Sequence, residues 1–98
     1  MIRGIKNTLT IRVKDAALTS ATDIEFYLRQ GTLFYQYTPT VIDDERLVVI
    51  VPREDTEKML RGRILCQLVF TDKDGNNRAS RPKACEVECL LKEDGYGA

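Results

Sequence analysis

Hydrophobic and polar residues alternate along most of the chain. A period of two sends neighbouring side chains to opposite faces of an extended strand, so each such run predicts a strand with one buried face. The apolar members of the clearest runs are Leu9, Ile11 and Val13; Ile24, Phe26 and Leu28; Ile64, Cys66, Leu68 and Phe70; and Cys85, Val87, Cys89 and Leu91.

Two further extended segments do not show which face is buried. Residues 33–38 are rich in aromatics on both sides, with Tyr35 and Tyr37 opposite Phe34. Residues 47–51 are apolar without a break, which suits a strand covered on both faces or one whose outer face meets another chain.

The period changes over residues 52–60, where we predict a short helix. Pro52 suits the first helical position, and Glu54 and Asp55 place negative charge in the first turn, where the helix dipole favours it. We expect the inward face of this helix to hold Thr56, Met59 and Leu60, and Gly62 to end it.

Turn residues separate these segments at intervals of roughly ten residues, a spacing typical of sandwiches and small barrels. Residues 43–45 and 72–77 are polar turns, and Pro82 marks a break or an edge near the start of the last strand. The predicted fold is all-β: a two-sheet antiparallel β-sandwich of six or seven strands with one short helical crossover. At 98 residues it is one domain over residues 1–98, with its core at about 8–91.

The composition argues against catalysis, cofactors and nucleic acid. The chain has no histidine, which removes the commonest general base and metal ligand. Its six glycines are scattered, so no phosphate-binding loop is present. Fifteen basic and fifteen acidic residues cancel, leaving no electrostatic footprint for nucleic acid. We therefore expect no enzyme activity, no cofactor, no metal and no nucleic-acid partner.

The three cysteines are interpreted as reduced core residues. Cys85 and Cys89 are four apart in one strand, about 13 Å, which is too far for a disulfide. Whether Cys66 pairs with Cys85 or with Cys89 across strands stays open. No signal peptide and no stretch of roughly 20 apolar residues are present. We expect no membrane partner, and a cytoplasmic protein that leaves a cell only inside an assembled particle.

Two surface features are candidates for binding. Tyr27, Tyr35 and Tyr37 would form an exposed aromatic patch of the kind enriched at interfaces, unless they are ordinary sheet packing. If Leu47, Val49 and Val51 point inward, Val48 and Ile50 form an outward apolar stripe, unless the helix or the N-terminal arm covers it.

The order of segments resembles a known family. A strand ends in Phe-Tyr-Leu-Arg-Gln-Gly at residues 26–31, and residues 47–51 form a middle strand. A short acidic turn at residues 53–56 then leads through Gly62 to a long strand, Asp74-Gly75 and a final alternating strand. This resembles, over residues 8–91, the small tail-associated proteins of phages and prophages of Gram-positive bacteria. Those proteins are similar to the immunoglobulin-like N-terminal domain of siphophage baseplate upper proteins.

The resemblance implies an immunoglobulin-like fold and a structural or assembly role in a tail or baseplate, in the host cytoplasm during assembly. Whether the protein stays in the mature virion is left open. It implies other tail or baseplate proteins, and copies of the chain itself, as partners. No catalytic residues carry over. The sequence departs from the family at Pro52, where a Ser or Thr cap is usual, and in its cysteines.

The leading hypothesis is therefore a structural adaptor that acts by protein-protein association. The main alternative is a carbohydrate- or ligand-binding sandwich that stacks its ligand on Tyr27, Tyr35 and Tyr37. A third option is an enzyme regulator that acts by strand addition at an exposed sheet edge.

Overall fold

The computed structural model describes residues 1–88, and within them the chain is almost entirely extended. A short 3-10 helix, Leu18–Ser20, precedes the second strand, and one α-helical turn, α1 (Arg53–Thr56), follows the fifth. The strands are β1 (Asn7–Arg12), β2 (Thr22–Gln30), β3 (Leu33–Tyr37), β4 (Thr40–Val41), β5 (Arg46–Val51), β6 (Gly62–Thr71), β7 (Asn77–Ala79) and β8 (Lys83–Val87).

The strands form two sheets, and all pairings between these eight strands are antiparallel; an isolated parallel bridge joins Ile2 to Glu88. The smaller sheet has the order β1-β5-β4. The larger sheet has the order β3-β2-β6, and both β7 and β8 pair with the remaining edge of β6, one after the other. The α1 turn connects β5 of the smaller sheet to β6 of the larger one. The predicted all-β sandwich with one short helical crossover is confirmed.

The strand order is that of an immunoglobulin-like sandwich, in which strands B, E and D share one sheet and C, F and G the other. Strands β1, β5 and β4 take the places of B, E and D. Strands β2 and β6 take those of C and F, β7 and β8 together take that of G, and β3 is an additional C′ strand. The inter-sheet disulfide and buried tryptophan of antibody domains are absent, since β1 has no cysteine and the chain no tryptophan.

The core lies between the two sheets and follows the alternation of the sequence. Leu28, Leu47 and Ile64 are at most 1% exposed, whereas their immediate neighbours in each strand point outward. The other buried apolar residues are Ala16, Leu18, Phe26, Val49, Val51, Met59, Leu68, Phe70 and Val87. Burial of each large aliphatic side chain contributes about 1.5–3 kcal/mol, which makes this interior the main source of stability.

The helix is shorter than predicted, and one of its three expected inward residues is wrong. Thr56 and Met59 are fully buried, but Leu60 is 69% exposed. The Gln30 side chain accepts a hydrogen bond from Leu60 N at 2.6 Å and donates one to Leu60 O at 2.7 Å. Both backbone polar groups of Leu60 are therefore bonded to a side chain instead of to the helix. Gly62, with φ +117°, opens β6 instead of ending the helix.

The predicted last strand is interrupted where Pro82 occurs. β7 ends at Ala79 and β8 begins at Lys83, so residues 80–82 form a break between them. Ser80 bridges the break: its hydroxyl accepts a hydrogen bond from Leu68 N at 2.9 Å, and its own N–H donates to Leu68 O at 2.8 Å. Cys89 and Leu91, the other expected inward residues of this strand, lie outside the described residues.

Candidate protein-protein interaction surfaces

The outer face of the smaller sheet carries the apolar stripe expected from residues 47–51. Leu47, Val49 and Val51 are buried, so Val48 and Ile50 point outward. Ile50 is 54% exposed and Val48 is half-buried. Neither α1 nor the N-terminal arm buries Ile50, which was the alternative left open.

Polar and charged residues surround this stripe. Thr8 pairs with Ile50, and both Thr10 and Thr40 flank Val48 on neighbouring strands. We call these five outward residues of the smaller sheet the Ile50 face. At one end of the sheet, Arg12 forms an ion pair with Glu45 at 3.1 Å, and Arg46 forms one with Asp43 at 2.7 Å. An apolar centre with a polar rim is the usual anatomy of a protein interface.

A second apolar surface lies on the outer face of the larger sheet. The rings of Tyr27 and Phe34 stack with centroids 5.5 Å apart, and Phe34 is 59% exposed. Leu65, 42% exposed, lies across Arg29 from Phe34, because Arg29 pairs with both residues. We call Tyr27, Phe34 and Leu65 the Phe34 patch. They line a shallow depression of about 360 Å³ with Arg29, Gln67 and Pro82.

The expected patch of three tyrosines is wrong, because Tyr35 and Tyr37 face the interior. Tyr35 pairs with Leu28 and Tyr37 with Phe26, and paired residues of an antiparallel ladder point to the same side. Both rings are half-buried and stack on each other at 6.4 Å. The Tyr37 hydroxyl donates a hydrogen bond to Asp55 Oδ2 at 2.7 Å, and burial is the main cause that raises the pKa of Tyr37.

Phe34 and Leu65 were not predicted as surface residues, although the sequence contains a signal for each. Once Ile64 and Cys66 are assigned to the inward face, Leu65 is an apolar residue at an outward position. Phe34 alternates with Tyr35 in the same way. For Phe34 the signal was ambiguous, since both faces of β3 carry aromatic rings.

Chemically reactive groups are few within residues 1–88. No cluster of three or more Cys, Asp or Glu side chains in that range is arranged to hold a metal ion. The Sγ atoms of Cys66 and Cys85 are 3.4 Å apart as free thiols. Burial raises the pKa of Cys66 to about 11, which keeps it in the unreactive thiol form at neutral pH.

The acidic residues of the turns serve local structure. Asp43 Oδ1 accepts hydrogen bonds from the backbone N–H groups of Glu45 and Arg46 at 2.9 and 2.8 Å. The hydrogen bond from the Arg46 side chain lowers the pKa of Asp43. Asp72 Oδ1 closes the β6–β7 turn in the same way, accepting from Asp74 N and Asn76 N. Such side-chain to backbone bonds are typical of turns.

None of the helices in residues 1–88 has the length and hydropathy that a membrane span requires.

Comparison with known proteins adds little to this geometry. No family model matches the chain, and no curated protein matches it. Among solved structures, murine CRIg is similar at 12% sequence identity, over 92% of this chain and 89% of that one, with a TM-score of 0.38. A likeness this low has no bearing on function, so the functional argument depends on the surfaces themselves.

Proposed function

We propose that this chain is a non-catalytic adaptor that acts by protein-protein association. One observation carries the proposal: large apolar side chains are exposed on both outer faces of the sandwich, at Ile50 on one sheet and at Phe34 on the other. An adaptor needs two surfaces that can be occupied at the same time. The Ile50 face and the Phe34 patch meet that need because they point in opposite directions.

The two surfaces have the composition of association sites. Exposed apolar stripes on a sheet mark interaction surfaces more often than isolated apolar residues do. Aromatic residues are enriched among the residues that dominate binding energy, and the Tyr27–Phe34 stack is already fixed by its own contact. Binding there would bury apolar area with little loss of side-chain freedom.

The setting we propose is the tail or baseplate of a phage or prophage. This part of the proposal is supported by the resemblance in strand pattern over residues 8–91. The partners would be other tail or baseplate proteins, or further copies of this chain. The protein would act in the host cytoplasm during assembly and remain in the virion.

The test uses one lysine substitution on each surface and a matched control. Ile50→Lys and Phe34→Lys each place a charge where a partner would exclude water. Ser20→Lys adds the same charge at an exposed position in the 3-10 helix, outside both surfaces. Each variant is co-expressed with the products of neighbouring tail genes and analysed by size-exclusion chromatography with light scattering.

The unmodified protein and Ser20→Lys should co-elute with a partner or form oligomers. Ile50→Lys should lose association through the Ile50 face, and Phe34→Lys should lose association through the Phe34 patch. The adaptor role would be refuted if the protein remained monomeric at high concentration and co-eluted with none of the candidate tail proteins.

The stacked pair Tyr27 and Phe34 also favours a second candidate, a carbohydrate-binding module. Exposed aromatic rings beside Arg29 and Gln67 in a shallow depression are suited to stacking against a sugar. A glycan-array screen tests this idea. Specific binding that Tyr27→Ala and Phe34→Ala abolish, and that Tyr35→Ala on the inner face preserves, would favour the module over the adaptor.

A further inference from the structure

The smaller sheet is one strand narrower than the larger one. Within residues 1–88 the larger sheet is four strands wide, with β7 and β8 sharing one edge, whereas the smaller sheet has β4, β5 and β1. In an immunoglobulin-like sandwich a strand A lies beside strand B, the place that β1 takes here. Among residues 1–88, no strand pairs with the outer edge of β1.

The missing neighbour leaves a groove between β1 and the edge formed by β7 and β8. Leu9, Ile11 and Val13 face inward and pack against the core, yet they are only half-buried. Together with Leu68 and Phe70 they line a groove of about 610 Å³. The groove therefore has an apolar floor and, along one side, a strand with unpaired backbone groups.

The charges along this groove have one sign. Four basic residues and no acidic ones among the described residues line it: Arg12, Lys14, Arg78 and Lys83. Arg12 is also ion-paired with Glu45, which lies outside the groove lining. Arg12 is the last residue of β1 and lies on its outward side, and Lys14 lies two residues further along, in the turn that follows the strand. A strand added beside β1 would place its own outward side chains next to Arg12.

We propose that this groove binds an extended segment of another protein in which apolar and acidic residues alternate. The inference rests on the proposed adaptor function and adds a third surface and the chemistry of its partner. The backbone of the segment would pair with β1, as in β-strand addition. Its apolar side chains would cover Leu9, Ile11 and Phe70, and its acidic side chains would lie beside Arg12 and Lys14.

Two other occupants fit less well. The β1 strand of a second copy would bring Arg12 and Lys14 of that copy and no acidic residue, so the excess positive charge would grow. Residues 89–98 contain Glu93 and Asp94, but these are adjacent and follow Lys92, so they do not alternate with apolar residues. Charge and pattern therefore favour a segment supplied by a different protein.

The experiment titrates the full-length, ¹⁵N-labelled protein with three synthetic peptides and follows the backbone amide signals by NMR. The probe is a nine-residue peptide of alternating valine and glutamate with both ends blocked. One control replaces every glutamate by lysine. The other replaces the central valine by proline, which cannot donate to a strand ladder.

We expect the glutamate peptide to bind and to shift the amide signals of residues 8–14 and 78–83. The lysine and proline peptides should bind at least tenfold more weakly. Reversing two exposed charges, Lys14→Glu with Lys83→Glu, should weaken binding of the glutamate peptide by about tenfold, since one exposed ion pair is worth roughly a factor of 1.5–5. The control Lys58→Glu, which lies outside the groove, should change the affinity less than twofold.

Several results would overturn the inference: no binding, equal binding of the glutamate and lysine peptides, or shifts confined to the Ile50 face and the Phe34 patch. Concentration-dependent shifts of β1 in the free protein would assign the groove to a second copy. Nuclear Overhauser contacts from residues 89–98 to β1 would assign it to the chain's own end. Loss of peptide binding leaves co-elution through Ile50 and Phe34 unaffected, so this test and that of the adaptor role fail separately.

Discussion

The two stacked tyrosines on the inner face of β3 form a matched pair for a stability experiment. The Tyr37 hydroxyl donates to Asp55 Oδ2 at 2.7 Å, which ties β3 to the α1 turn. The Tyr35 hydroxyl is buried and has no hydrogen-bond partner among residues 1–88. Replacing either residue by phenylalanine removes one oxygen from the same stack, so the two changes differ only in the hydrogen bond that is lost.

We expect Tyr37→Phe to lower the free energy of unfolding by about 1–2 kcal/mol. A hydrogen bond to a charged acceptor contributes about 1.5–3 kcal/mol, and we take the lower part of that range because the site is only half-buried. Tyr35→Phe removes a hydroxyl that is desolvated without compensation. Its stability should therefore be unchanged or higher by up to about 1 kcal/mol.

The two variants should also differ in alkaline solution. Burial and the hydrogen bond to Asp55 raise the pKa of Tyr37 above its usual value of 10.0. Since tyrosine loses its proton more readily in the unfolded chain, the unfolded state binds fewer protons above about pH 10, and stability falls as pH rises. Burial raises the pKa of Tyr35 as well, so that residue contributes to the same alkaline loss.

The assay is urea unfolding of the original protein and of both variants at pH 8.0, 9.5 and 10.5. At pH 8.0 Tyr37→Phe should be the less stable variant. Between pH 9.5 and 10.5 it should lose less stability than the original protein, because its titrating hydroxyl is gone. Equal free energies for the two variants at pH 8.0 would show that the Tyr37–Asp55 bond contributes nothing and would refute the reasoning.

Three further predictions concern single residues. Thr56→Val should lower the free energy of unfolding by about 1–3 kcal/mol in urea titrations, because the fully buried Thr56 hydroxyl forms hydrogen bonds with backbone groups of the N-terminal arm. Thr56→Ser keeps the hydroxyl and should retain most of the original stability. Gly75→Ala should lower the free energy of unfolding by about 1–2 kcal/mol through backbone strain alone, since φ is +83° and a Cβ would meet no atom within 4 Å. An unchanged midpoint of thermal unfolding would contradict this. In a variant that keeps only Cys66, burial alone should still hold the pKa of Cys66 above its usual value, so that the rate of alkylation by iodoacetamide keeps rising above pH 9. A plateau of the rate near pH 8.5 would show a normal thiol.

Much of the fold could be predicted because alternation is a local property. Leu28 and Ile64 occupy the centres of period-two runs, and both are buried. Turn chemistry is equally local: Gly75 has the positive φ that the Asp-Gly pair predicts. The break at Pro82 follows from the missing N–H of proline alone. None of these inferences requires knowledge of a distant residue.

The errors arose where a distant residue decides the outcome. Leu60 continues the helical pattern, but α1 ends at Thr56, and the side chain of Gln30, thirty residues earlier, binds both backbone groups of Leu60. The faces of β3 were ambiguous because Tyr35 and Phe34 are both large and apolar. Their assignment depends on the register with β2, in which Tyr35 pairs with Leu28.

The depth of burial at β1 shows the same limit and connects it to function. The alternating pattern predicts that Leu9 and Ile11 point inward, and the structure confirms this. The pattern does not predict how many strands lie beside β1. In β5, which has a neighbour on each side, the inward residue Val49 is 1% exposed. Among the described residues β1 has one neighbouring strand, and its Leu9 and Ile11 remain half-buried. The same alternating pattern therefore gives fully buried residues in a central strand and half-buried residues beside an open groove in an edge strand. Apolar area left uncovered in this way is what an added strand would bury, and its burial is the driving force that the inferred partner segment requires.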